Sequence, residues 1–136
     1  MFEKDYIMRL IQQFFETLEL IIKGGGKNIQ EKINDIYIAY IGKEKEFFQE
    51  QNYEHILDFI EEYPNQEKIF RVEMLAELLF QDAILQSNIS VKINLLRKSY
   101  NLLLILDKQS KTFSLERQTK MDNILDLLNE YESFSK

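Results

Sequence analysis

The chain has no cysteine and no tryptophan, a single histidine, a single proline and four glycines in 136 residues. Without cysteine, disulfides and thiolate metal sites are excluded, and a reducing, cytoplasmic setting is expected. With His55 as the only histidine, a di-iron bundle built from two Glu-x-x-His motifs is excluded within one chain. Neither a metal nor another cofactor is expected. Scarce proline and glycine mean few breaks and few β-turns. Long apolar runs are missing too. The first apolar stripe is cut by Arg9, Gln12, Gln13, Glu16 and Glu19, so neither a membrane span nor a membrane partner is expected. The opening Met1-Phe2-Glu3-Lys4-Asp5 lacks the basic start of a secretory signal.

What is present is helical periodicity. Ile7, Leu10, Ile11, Phe14, Leu18, Ile21 and Ile22 follow the i, i+3, i+4, i+7 rule of an amphipathic helix. This predicts a helix from about Asp5 to Lys23, stopped at Gly24-Gly25-Gly26. A second, Asn28 to Ile41, carries Ile29, Ile33, Ile36, Tyr37 and Tyr40 inward; Asn28 with Glu31 has the form of a capping box, and Gly42 suits the residue past its end. Phe47-Phe48 reads as a short helical turn. A third helix covers about Asn52 to Glu62, and Pro64 ends it or opens the next.

The fourth, Asn65 to Gln86, is striped by Ile69, Val72, Leu75, Ala76, Leu79, Phe80 and Ala83. Leu78 and Leu85 widen the stripe, predicting partners on two sides. The fifth, Ser90 to Asp107, is apolar all round at Leu102-Leu103-Leu104-Ile105-Leu106 and is expected to be central. The sixth runs from a Ser114 cap to about Tyr131, striped by Met121, Ile124, Leu125 and Leu128. The expected fold is therefore all-α: one compact domain, residues 1–136, of about six antiparallel helices. The small residues of the fourth helix allow close approach of the fifth, giving a tetratricopeptide-like hairpin in the second half.

Charge is uneven. The net charge of −6 disfavours nucleic acid as a partner. Yet Lys92, Arg97, Lys98, Lys108, Lys111, Arg117 and Lys120 face only Asp107 and Glu116 between positions 92 and 120, giving that segment +5 and the remainder −11. One reading is that these charges pair within the fold or face water. The other is a basic patch for an acidic peptide or a neighbouring subunit.

Two stretches carry a family resemblance: Asp5-Tyr6-Ile7-Met8-Arg9-Leu10-Ile11, and Lys111-Thr112-Phe113-Ser114-Leu115-Glu116-Arg117 with Lys120 and Ile124. Together they resemble an uncharacterised family, a domain of unknown function, of small bacterial helical proteins with tetratricopeptide-like character. The resemblance spans nearly the whole chain. It implies a compact all-α fold and no catalytic or binding residues. Physically, Thr112 and Ser114 suit a helix start, and Glu116 suits a first turn. Phe113 would pack beneath that turn, and Arg117 would reach an acidic neighbour. Tyr6 and Arg9, one turn apart, would meet the end of another helix.

Other motifs fail on context. Gly24-Gly25-Gly26-Lys27 lacks the preceding strand, the spacing and the following Ser or Thr of a phosphate loop. His55 with Asp58 offers two ligands at most, short of a zinc site. A nucleophile-elbow signature is missing, and Glu61-Glu62 point apart on a helix. Phe15, Phe48 and Phe59 are the apolar residues farthest off the stripes. Clustered on a surface, they would mark a partner site.

The function expected is a non-enzymatic protein- or peptide-interaction module, self-association included. Phe15, Phe48 and Phe59 would be its apolar anchors, with Arg97, Lys98, Lys108, Lys111, Arg117 and Lys120 supplying charge. The alternative is a small ligand-binding or enzymatic bundle with its site between helices, near Tyr53, His55 and Asp58.

Overall fold

The computed structural model describes residues 2–110 and 113–134. Lys111 and Thr112 lie outside them. The fold is all-α, with seven α-helices and one π-helical turn among the described residues: α1 (Phe2–Gly24), α2 (Ile29–Ile36), the π turn (Tyr37–Ile41), α3 (Lys45–Glu50), α4 (Tyr53–Ile60), α5 (Asn65–Leu85), α6 (Ile89–Gln109) and α7 (Leu115–Phe134). The seventh helix, relative to six expected, is α3. Its six residues are too few to show a period.

Several boundaries are set by the expected chemistry. Asn52 Oδ1 accepts from His55 N at 2.9 Å to open α4, Asn88 Oδ1 accepts from Val91 N at 3.1 Å to open α6, and Ser114 Oγ accepts from Arg117 N at 3.2 Å at the start of α7. Gly42 ends the π turn at φ 106°, a left-handed conformation that glycine adopts without strain. Two expected caps differ. Helix α1 begins ahead of Asp5, and Asn28 makes no side-chain cap bond.

Helix α5 is the hub. It packs against α1, α2, the π turn, α4 and α6, and buries Val72, Met74, Leu75, Ala76, Leu78, Leu79, Asp82 and Ala83. Centrality thus falls on α5 rather than on α6, where Leu104 and Ile105 stay half-buried. The α5–α6 contact is tight because small residues meet there. Ser99 Oγ donates to Ala76 O at 2.7 Å, and both residues are fully buried.

The π turn rests on supports from α5 and from the turn between α4 and α5. Gly42 N donates to Tyr37 O at 2.9 Å, an i→i+5 bond. Arg71 of α5 donates to Tyr40 O, and Tyr63 donates to Ile41 O. Carbonyls that the wide turn leaves without ladder partners are thereby satisfied.

Tyr37 is fully buried, stacks on Phe48 at 5.3 Å and donates to Asp82 Oδ2 at 2.7 Å. Asp82, also fully buried, accepts a second bond from Gln86 at 2.8 Å. Burial first, then the Asp82 charge, hold the Tyr37 hydroxyl pKa well above its usual range.

Two expected partner residues are corrected here. Phe48 is fully buried among Tyr37, Phe47 and Phe59. It looks off-stripe because a six-residue helix has no stripe to fall on. Lys98 is also buried. Its Nζ donates to Phe48 O at 2.7 Å and Gln49 O at 3.3 Å, capping the carboxyl end of α3. Burial lowers its pKa from the usual lysine value. Lys98→Met keeps the stem and loses the ammonium. Its expected cost is about 1.5 kcal/mol, read as a lower denaturant midpoint with faster amide exchange in α3. An unchanged midpoint would refute the tie.

Candidate functional site

An open groove of about 670 Å³ lies between α1, α5 and the junction of α6 with α7. Phe80, Leu103 and Leu106 supply apolar surface within it, from helices that pack on one another. Phe15 from α1, Ile69 from α5 and Leu115 from α7 also line it and are 36%, 43% and 70% exposed. Phe15 is steadied by an edge-to-face contact with the buried Phe14 at 5.0 Å. Ile69 belongs to the stripe read as core, yet it opens onto the groove instead.

Polar groups line the same space. Lys120 pairs with Glu77 and sits 4.4 Å from the centre of the Phe80 ring. Arg117 Nε donates to Asp107 Oδ1 at 3.1 Å, as expected of its reach to an acidic neighbour. Glu73 and Glu116 have no ion-pair partner among the described residues. Desolvation pushes the Glu73 carboxyl above its usual pKa. Arg117 opposes the rise, while Glu116 and Glu77 add to it. Glu116 is favoured by its place in the first turn of α7.

Of the residues singled out from sequence, the structure brings Phe15, Arg117 and Lys120 together in this groove. The others lie elsewhere. Phe59 is half-buried against Phe47, Phe48 and Tyr63. Arg97 pairs with Glu132 between α6 and α7. Lys108 is exposed at the end of α6, and Lys111 is outside the described residues. The cations of the basic segment are thus largely engaged inside the fold. The second expected motif divides as well. Ser114 and Arg117 act as expected, but Phe113 is 76% exposed and does not pack beneath the turn.

The alternative site around Tyr53 borders a second, more open cleft of about 710 Å³ that also includes Asn94, Arg97, Lys98 and Glu132. His55 and Asp58 are exposed; His55 Nδ1 bonds Gln51 Oε1 at 2.9 Å. Among the described residues, no three histidines or carboxylates converge as a metal site, and no helix is long and apolar enough to cross a membrane.

No protein-family model, curated protein or solved structure matches this chain. The site's meaning therefore rests on its geometry.

Proposed function

We propose that the chain is a non-enzymatic interaction module that docks a segment of another protein in the α1/α5/α7 groove. One observation carries this reading: exposed Phe15, Ile69 and Leu115 surround a depression whose inner surface is the apolar side of Phe80, Leu103 and Leu106. Covering such side chains removes apolar area from water at about 25 cal/mol per Å², the usual driving force for docking. The neighbouring α5–α6 hairpin, closed through small residues, is the feature that likens the chain to tetratricopeptide-type units. A shallow groove between helices suits peptide capture in that setting.

Display selection of peptides on the intact protein, followed by affinity measurement, tests the reading. The double variant Phe15→Ser, Leu115→Ser is expected to bind the selected peptides at least about tenfold more weakly, since each lost anchor removes roughly 1 kcal/mol or more. Its far-ultraviolet dichroism should match wild type, because both side chains are exposed. Undiminished binding in that variant would remove the groove from consideration.

A further inference from the structure

The charges lining the groove select what it takes. Resting on the groove being the docking site, we propose that its occupant is a basic amphipathic helix of a partner protein, about three turns long.

The length follows from α5. Ile69, Glu73, Glu77 and Phe80 lie on one face of that helix and all line the groove. At 1.5 Å per residue, they span roughly 16 Å. A helix laid alongside would match that distance with about three turns, placing apolar anchors at i, i+3 or i+4 and i+7.

The charge follows from which groups are already engaged. Three carboxylates line the groove, Glu73, Glu77 and Glu116, with two cations, Arg117 and Lys120. Both cations are held by acids of this chain, Asp107 and Glu77. An acidic segment would have to displace those acids and would still meet Glu73 and Glu116. A basic segment displaces nothing. It would bring ammonium or guanidinium groups to the two carboxylates that lack ion pairs among the described residues, and would add to the Arg117 attraction that already opposes the burial of the Glu73 charge and its repulsion by Glu116 and Glu77. The net charge of −6 steers the same class of partner towards the protein. A second copy of this chain carries that same −6, so charge opposes it as the occupant.

Three labelled fourteen-residue helical peptides with identical leucine positions, differing only in lysine, glutamine or glutamate elsewhere, provide the test on the intact protein. The lysine peptide is expected to bind at least about tenfold more tightly than the glutamate peptide. Its chemical-shift changes should centre on Ile69 and Leu115, and its affinity should fall as salt rises. In the variant Glu73→Gln, Glu116→Gln the lysine peptide should weaken by up to about fivefold per charge removed, with the glutamine peptide unchanged. Equal or tighter binding of the glutamate or glutamine peptide at the groove would overturn the basic occupant while leaving the groove a docking site. So would an unaltered lysine preference in the double variant. If none of the three perturbs Ile69 or Leu115, or if sedimentation shows a dimer closed through this groove, the peptide-docking reading falls with it.

Discussion

Tyr37→Ala is expected to destabilise the fold by about 3–5 kcal/mol, the usual cost of deleting a buried aromatic ring. Two terms act together. The ring stacked on Phe48 disappears, leaving a cavity where the π turn, α3 and α5 meet. Asp82 then keeps only its bond from Gln86 in a fully buried position. At roughly 3 °C per kcal/mol for a chain of this size, the thermal midpoint should fall by about 10–15 °C. Tyr37→Phe separates the terms. It keeps the stack and removes the hydroxyl, so about 1–2 kcal/mol should be lost.

The same pair of proteins gives a pH signature. The Tyr37 pKa is raised in the folded state, so its contribution is fully present below about pH 10, the ordinary tyrosine value, and is lost as pH rises above it. Wild type should lose stability above pH 10 at about 1.4 kcal/mol per pH unit for each such tyrosine. Tyr53, raised by burial to about 12, and Tyr63, raised further by burial, add to that slope. Lys98, with its lowered value, opposes it only up to the ordinary lysine value of 10.5. Tyr37→Phe should be measurably flatter in that range. Identical alkaline slopes, or a Tyr37→Ala midpoint within about 3 °C of wild type, would refute the role given to this residue.

Ala76→Leu is the second large effect. Ala76 lies fully buried where α5 meets α6, and its carbonyl accepts from Ser99. Three extra carbons have no space there, so the helices must separate or side chains must leave their rotamers, at about 3 kcal/mol. Because α5 packs on five other elements, the strain spreads to them, and near-ultraviolet dichroism should change along with the midpoint. Ser99→Ala removes only a hydrogen bond and should cost about 1 kcal/mol. A leucine tolerated at 76 without loss would mean that the interface is looser than the structure has it.

What was legible in the sequence has a physical pattern. Long helices announced themselves by period, as in α5, α6 and α7. Ser114, whose side chain caps locally, marked the start of α7, and Asn52 marked that of α4, whereas α6 is capped by Asn88, two residues ahead of the Ser90 expected. The misses involve partners distant in sequence or groups with no local mark. Lys98 reads as a surface cation because a lysine is seldom buried. Its acceptors are backbone carbonyls fifty and forty-nine positions away, which no residue type reveals. Asp82 is an acid inside a core stripe, matched by a tyrosine 45 positions earlier. Phe48 looked stray because its helix is shorter than two turns.

The groove was half visible. Phe15, Arg117 and Lys120 stood out, one by falling off its stripe and two by charge. Ile69 and Leu115 did not, because one sits on a core stripe and the other at a helix start. Only the packing of α1 and α7 around α5 brings them together. The acids Glu73 and Glu116 carry no sequence mark of partner binding, since isolated glutamates on helices are ordinary.

The π turn has a further bearing on how this chain tolerates change in length. Its ring holds one residue more than an α-helical ring, so residues 37–41 behave as a single-residue insertion absorbed without breaking the rod. Each α-helical residue advances the angular phase by about 100°. Removing a residue from regular helix would turn everything before it by that angle, but excising one from this turn, such as Ala39, would let Tyr37 O and Gly42 N keep their bond as a plain i→i+4 ring, with Ile33, Ile36 and Tyr37 holding nearly their present direction relative to Gly42. The Tyr37 hydroxyl would then still face Asp82. The wide turn thus lets the arm hold one residue more than a regular helix of the same reach, and a lineage that lost that residue could keep the core it aims at.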